Sequence, residues 1–288
     1  MSTCLHHGVV IPIFGPITEQ LQQHVAALLE ADFTVILVDN RPVDGRPVSS
    51  AEALFPRAHM VSNLNRGLVA GGFNRGVEQA LMIGTQVVTL LDQDSRICPG
   101  DLRQLAGSLA NCPVQSLVGP VVIDQWRTNP QQEDNQAKQP GLQPTRMLIS
   151  SGTTFRANEW PMLGTMHEPL EIDYVDHYWC YRAIQRGFRI FHDKRVTLYQ
   201  AFGQRHPNQL CHCIGMQLYE PQRHYTSVRN LRWLALQKCV PADVKAKELL
   251  RMVLKPLLWL LFEPRRRANL RAIVHGLVDP LPVADLQQ

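Results

Sequence analysis

Three stretches of the chain combine residue types and spacings that could do chemistry. Asp92-Gln93-Asp94 follows the apolar run Gln86 to Leu91. Two acids one residue apart at the end of a strand bring two carboxylates near one point. Hard oxygen ligands so placed suit Mg2+ or Mn2+, and the ion in turn neutralises a diphosphate. D-x-D alone leaves a solvated acidic turn as the alternative. The second stretch, Asn63 to Gly76, reads NLNRGLVAGGFNRG. Its glycines allow close backbone approach to a ligand, and an exposed helix N-terminus there welcomes phosphate. It is not G-x-G-x-x-G at the first βα turn, which argues against a dinucleotide fold. A glycine-rich connection is the plain alternative. In the third stretch, Glu168 to Arg182, Asp173 and Asp176 stand three apart and are followed by Trp179 and Arg182. On a helix, positions 176, 179 and 182 share a face. An acid held ionised at a helix start can take a proton from an attacking hydroxyl, although acids also cap helix N-termini without further role.

The elements that must position these residues alternate. Gly8 to Phe14 reads as a buried strand, and Thr18 as the N-cap of a helix with Leu21, Val25, Leu28 and Leu29 on one face. Phe33 to Val38 and Gln86 to Leu91 read as further buried strands, Ala58 to Ser62 as a weaker one, and Gly71 to Met82 as a helix. This alternation predicts a mostly parallel sheet covered on both faces, with ligands bound beyond the carboxyl ends of its strands. Asp39 and Asp92 fall at two such ends. Residues 41–50 and 128–144 read as loops, the second a mobile one. Structure resumes at Met147 to Ser151, Val175 to Arg186 reads as a helix, and the chain from Pro221 onward is mostly helical.

Composition bounds the function. The chain has 288 residues, 45% hydrophobic and 19% charged, with a formal net charge of +4. These values fit one large α/β domain with a small helical appendage and leave no nucleic-acid footprint. Seven cysteines, an odd number, and an N-terminus without a charged leader predict reduced thiols and a cytoplasmic protein. Cys211-His212-Cys213 with His206 lacks a second ligand pair at zinc-finger spacing. No apolar run reaches the roughly 18 residues that span a bilayer. Leu249, Val253, Leu257, Leu258, Leu260 and Leu261 surround Trp259, and Arg265-Arg266-Arg267 follow. That pattern predicts a helix lying at an anionic membrane surface, with core packing or a homodimer through the C-terminal helices as the alternative.

Six pieces in order resemble family 2 glycosyltransferases of the GT-A fold, and within them the bacterial rhamnosyltransferase branch. They are VDN at 38–40, NLNRGLVAGGFNRG at 63–76, LLDQDS at 90–95, SSGTTF at 150–155, EIDYVDHYWCYRAIQRGFRI at 171–190 and RHYTSVRN at 223–230. The resemblance implies a GT-A, Rossmann-like sheet flanked by helices over residues 1–230. Within it, about 1–120 would bind the nucleotide sugar and about 145–230 would form the acceptor and catalytic part, with a helical extension at 231–288. It implies Asp39 at the nucleotide base, and Asn65, Gly67 and Asn74 in the donor-binding loop. It implies Asp94 as the main metal acid with Asp92 in support, Ser151 and Gly152 beneath the acceptor, Asp176 as catalytic base and Arg182 beside it. Pro12 and Gln93 join the implied donor contacts. Two positions depart from the family pattern. Phe14-Gly15 replaces a Tyr-Asn pair, and Gln200 stands where a metal-binding histidine is usual.

The implied reaction is a single inverting displacement that needs Mg2+ or Mn2+. The implied donor is dTDP-β-L-rhamnose, with a UDP- or GDP-hexose as the runner-up. The implied acceptor is a saccharide or lipid-linked saccharide of the kind built into bacterial lipopolysaccharide and polysaccharide, at or near the inner face of the cytoplasmic membrane. A non-catalytic nucleotide-sugar binder would have no use for the base. A nucleotidyltransferase would show a glycine-rich signature with a lysine after the first strand, where this chain has Phe14-Gly15-Pro16.

Overall fold

Runs of aliphatic residues with no polar face make the centre of the sheet. In β1 (His7–Ile13) and β2 (Thr34–Asp39) nearly every side chain is buried. The period of two sends alternate residues to opposite faces. Val9 and Ile11 pack with Leu21, Val25 and Leu28 of α1 (Glu19–Glu30) and with Leu102 and Leu105 of α3 (Pro99–Ala110). Val10 and Val38 pack with Phe73 and Val77 of α2 (Leu68–Met82) on the other side. The computed structural model describes residues 5–41, 53–124, 141–200, 203–205, 211 and 217–282.

The eight-stranded sheet has the order β3-β2-β1-β4-β7-β5-β8-β6. Its further strands are β3 (His59–Ser62), β4 (Val87–Leu90), β5 (Ser116–Asp124), β6 (Leu142–Thr145), β7 (Thr154–Arg156) and β8 (Arg189–Gln200). β7 and β6 run against the rest, so the sheet is mostly parallel, as the alternation predicts. The chain leaves β1 for β2 and β3, then returns to β4 on the other side of β1. That reversal opens a crevice at the carboxyl ends of β1 and β4. β9 (Gln204–Arg205) and β10 (Gln217–Leu218) form a separate ribbon.

After a short 3-10 turn, α4 (Trp160–Leu163) leads toward α5 (Val175–Gln185). Three helices close the described residues: α6 (Pro221–Leu236), α7 (Ala242–Phe262) and α8 (Arg266–Val278). Here one expectation fails. Trp259 is not at an outer surface: it is buried, its ring stacked on His224 at 4.0 Å between centroids. The exposed apolar stripe of α7 runs instead through Leu249, Leu250, Val253, Leu254, Leu257 and Leu261, each between 44% and 62% exposed. Leu258 and Leu260 are partly buried with Trp259. No described helix is long and apolar enough to cross a membrane.

Other boundaries shift. α2 begins at Leu68 rather than Gly71. The early start is possible because Gly67 caps the helix at φ +59°, a left-handed conformation that glycine adopts without strain. Part of the expected loop at 128–144 is strand β6, paired antiparallel to β8, so regular structure resumes at Leu142, ahead of Met147. Residues 42–50, 128–140, His206, His212 and Cys213 lie outside the described residues.

Candidate active site

The crevice between β1 and β4 opens into a cleft of about 670 Å³ lined by Asp92, Gln93, Asp94, Asp176, Gln200 and Arg223, among others. Its floor is tied together by the DQDS turn. Gln93 Oε1 accepts from the backbone N–H groups of Phe14 (2.9 Å) and Gly15 (3.0 Å), and its Nε2 donates to the Pro16 carbonyl (2.8 Å). One side chain thus fixes the loop after β1 to the turn after β4. Behind the turn, the buried hydroxyls of Ser95 and Ser151 share a hydrogen bond at 2.5 Å, and the Asp92 N–H donates to Ser151 Oγ at 3.2 Å.

Asp92 and Asp94 share this turn, and β8 delivers Gln200 to them through a bridge between Tyr199 and Arg96. Gln200 Nε2 donates to Asp92 Oδ2 at 2.8 Å. Burial pushes the Asp92 carboxyl up to about 6, against the Gln200 hydrogen bond, and the charges of Asp94 and Asp176 push the same way. Gln200 Oε1 is buried and has no hydrogen-bond partner among the described residues. Two crowded carboxylates and an orphaned amide oxygen form an all-oxygen set that a hard divalent cation would satisfy. Among the described residues no group of three His, Cys, Asp or Glu side chains gathers to hold a metal.

Asp176 opens α5. Its Oδ1 accepts from the His177 backbone N–H and meets His177 Nδ1, both at 2.8 Å. Burial would raise the Asp176 carboxyl, but the charge and hydrogen bonds of His177 outweigh it and hold the group below the usual carboxylate range. The same pairing raises His177 against its own burial. A carboxylate that stays charged while facing a cleft can accept a proton from a hydroxyl. The turn that feeds α5 holds three non-glycine residues at positive φ: Glu171 (+63°), Asp173 (+61°) and Tyr174 (+62°).

Several residues singled out from the sequence lie outside the cleft lining. The Asp39 carboxylate is taken by Arg41, with Nε at 2.8 Å and Nη2 at 2.7 Å, and those bonds hold it below its ordinary range. The Asn74 amide is buried and used by the Met166 backbone (2.7 and 2.9 Å) and Glu168 Oε1 (3.0 Å). Gly67 sits against Glu168, whose Cβ a side chain at 67 would strike. Asn65 adopts φ +56° with its Oδ1 buried and unpartnered among the described residues. Pro12 underlies Gly72, and Gly152 (φ +85°) fits against Pro120. Arg182 is buried, donates to the Thr165 carbonyl and lies over the Tyr178 ring at 5.3 Å. Trp179, the other member of the expected face, packs on Phe155 and Trp160 and donates to the Gly164 carbonyl. The glycines of α2 serve packing: a Cβ at Gly76 would come within 2.2 Å of Val10 Cγ1.

The cleft also contains residues that the motifs did not single out as site residues. Arg223 donates Nε (3.1 Å) and Nη2 (2.9 Å) to Asp173 Oδ1 and lies 4.8 Å over the Tyr219 ring. His177 touches Asp176. Both fall inside the pieces at 171–190 and 223–230, and membership in those pieces was the available signal.

The sequence profile of glycosyl transferase family 2 matches residues 8–171. The dTDP-rhamnosyl transferase RfbF of Shigella flexneri is 27% identical over 251 residues, spanning 83% of each chain. Among solved structures, S. aureus TarS residues 1–349 in complex with UDP-GlcNAc superposes with a TM-score of 0.55 at 13% identity, over 95% of this chain and 80% of that one. GalNAc-T7 with UDP, GalNAc and Mn2+ gives 0.57 at 12% identity over 85% of this chain. This chain spans only 54% of the GalNAc-T7 chain. At these identities the structural likeness is one of fold: an eight-stranded sheet between helices, of the GT-A kind.

Proposed function

Because the chain belongs to glycosyl transferase family 2, we infer that its cleft moves L-rhamnose from dTDP-β-L-rhamnose to a hydroxyl of a bacterial cell-surface glycan or glycolipid. One observation carries this reading: the Asp92–Asp94 turn and Asp176 line a single cleft at the sheet's switch point. The donor rests on the likeness to RfbF over most of both chains. Incubating the pure protein with dTDP-rhamnose, UDP-hexoses and GDP-hexoses tests it, because donor hydrolysis can be read without the acceptor.

Asp176 takes the acceptor proton while the acceptor oxygen attacks the anomeric carbon. The bond from that carbon to the diphosphate breaks in the same step, so the configuration inverts. Asp92, Asp94 and Gln200 are the residues that would hold Mg2+ or Mn2+, whose charge would neutralise the departing diphosphate. Gln93 keeps the loop after β1 against that turn. In this reading Asn65, Gly67, Asn74, Ser151, Gly152 and Arg182 act on the substrates through the backbone they fix. Asp39 is released from Arg41 to meet the base.

In the same reading the C-terminal helices hold the enzyme at a membrane. The stripe from Leu249 to Leu261 on α7 and the exposed Leu270, Val274, Leu277 and Val278 on α8 flank a junction bearing Arg265, Arg266 and Arg267. Apolar side chains beside clustered arginines match the headgroup layer of an anionic leaflet. A second copy docked on this junction would set arginine against arginine.

A further inference from the structure

The segment from Glu171 to Tyr174 takes a backbone path that its residue types resist. Glu171 has φ +63° with ψ −68°, and Asp173 and Tyr174 follow in left-handed conformations, although none is glycine. Such a path persists only where the surroundings over-determine it. Helices α6 and α7 supply that determination. Asn230 of α6 is fully buried, and its Nδ2 reaches the carbonyls of Leu170 (2.7 Å), Ile172 (2.7 Å) and Asp173 (3.1 Å). Arg223, two turns earlier on the same helix, donates twice to the Asp173 carboxylate. Arg229 donates to the Pro169 carbonyl at 3.1 Å and pairs with Glu171 at 3.5 Å. From α7, buried Glu248 accepts from the Tyr174 hydroxyl at 3.2 Å, and Arg251 pairs with Glu248 in turn. The turn ends directly at α5, one residue before Asp176.

We propose that α6 and α7 brace the 171–174 turn, and that Asn230 and the Tyr174–Glu248 bond are positioning elements that set where the Asp176 carboxylate points. The brace rests on the reading of Asp176 as the base. It accounts for the RHYTSVRN piece, whose Arg223, Arg229 and Asn230 all grip the chain just ahead of the base. It also makes the C-terminal helices part of the catalytic apparatus. A brace of this kind acts on turnover and leaves the nucleotide end of the cleft alone.

The test uses the full chain with Mn2+ and the donor that the wild-type enzyme turns over. Asn230→Ala removes both amide protons from the turn. Displacing a reacting group by about 1 Å lowers rate on the order of a hundredfold, so kcat should fall by roughly 10- to 100-fold. KM for the donor and the dTDP affinity from calorimetry should stay within about twofold, because binding that is equal in ground and transition states is untouched. Adding Glu171→Gly to Asn230→Ala should restore part of kcat, since glycine takes φ +63° without being held there. Wild-type kcat in Asn230→Ala overturns the proposal. So does a parallel fall of kcat and dTDP affinity that Glu171→Gly does not repair. If Asn230→Ala does not fold, Tyr174→Phe removes a single hydroxyl, and unchanged kcat in that variant is equally contrary. Asp176→Asn separates the two levels. If it turns over normally, the base is another group. If it is inactive while Asn230→Ala is intact, only the brace falls.

Discussion

Gln200 donates its side-chain amide to Asp92 Oδ2 at 2.8 Å, and its own carbonyl oxygen is buried without a partner among the described residues. The bond holds the amide beside the two acids of the turn, with an acceptor left over. A cation bound by Asp92 and Asp94 would gain a third oxygen there. Gln200→Ala should therefore weaken Mn2+ binding about tenfold, and Gln200→His, which offers an imidazole nitrogen, should bind Mn2+ more tightly than Gln200→Ala. Calorimetric titration of Mn2+ into the protein with dTDP reads both. Equal affinity in all three proteins would remove Gln200 from the ligand set.

Asp176→Asn keeps the shape of the base and removes its basicity. Donor affinity should survive while turnover falls by about 10² to 10⁴. The pH profile gives a second reading. In the wild type, His177 holds the Asp176 carboxyl below its usual range against burial, so the base stays charged and the acid limb lies low. Removing the His177 side chain takes away its charge and its side-chain hydrogen bond and leaves only backbone N–H groups to oppose burial, so His177→Ala should raise that pKa and move the acid limb of kcat upward. The profile is taken at saturating Mn2+, which keeps Asp92 deprotonated. An acid limb that stays in place would mean that His177 does not set the charge of the base.

Asp193 shows how β8 is held in register before it reaches the site. Its carboxylate is fully buried beside the irregularity in the β5–β8 pairing, and it takes bonds from Ser108 Oγ (2.5 Å) and Arg195 (2.9 Å). Burial opposes its charge, but Arg195 and Ser108 outweigh it and lower its pKa in the fold. A depressed carboxylate contributes stability above its unfolded pKa and loses it as pH falls through the folded value. Asp193→Asn should destabilise the protein by about 1–3 kcal/mol at neutral pH. The gap to wild type should narrow below about pH 4, where the unfolded carboxylate takes up its proton. Urea unfolding at the two pH values measures this, and a gap independent of pH would show that charge is not the cause.

The exposed stripe of α7 and the arginines after it predict weak, salt-sensitive membrane binding. Sedimentation with vesicles containing anionic lipid should carry the protein down at low salt and release it as ionic strength rises. Leu250→Asp with Leu257→Asp should abolish sedimentation and leave donor hydrolysis intact, because both side chains point away from the body of the protein. Truncation of α7 would be a poorer test, since it also removes Glu248 from Tyr174. Protein that stays in the supernatant and runs as a dimer by light scattering would assign the stripe to a second copy.

The placement that depends on neighbours in sequence was legible. Asp92-Gln93-Asp94 at a strand end and Asp176 at a helix start were readable because strand, turn and cap signals are local, and both reach one cleft. Contacts across the fold were not. Gln200 meets Asp92 across 108 residues; only the resemblance placed the two at one metal position, and the local pattern around either residue does not record the hydrogen bond. Helix α3 carries Pro99 at its first position, a favoured start, but Gly100 follows it and its N-cap is the thiol of Cys98 rather than a hydroxyl or carboxylate. The turn before α5 carries Glu171, Asp173 and Tyr174, residue types that do not announce a left-handed backbone. The place of Trp259 was hidden for a different reason: helical periodicity groups residues into stripes but does not say which stripe meets the protein. His224 and Glu263 settle that for α7 by closing over the tryptophan side.

In the proposed reaction this cleft breaks the bond between a sugar and a nucleoside diphosphate, using the acids that line it. The most direct measurement is release of dTDP from dTDP-β-L-rhamnose by the pure protein, with Mn2+, with Mg2+ and with EDTA, alongside Asp94→Ala. Release should require the metal, stop in EDTA, return on adding either ion, and fall on the order of a thousandfold in Asp94→Ala. Full activity in excess EDTA, or an Asp94→Ala protein as active as wild type, would contradict it.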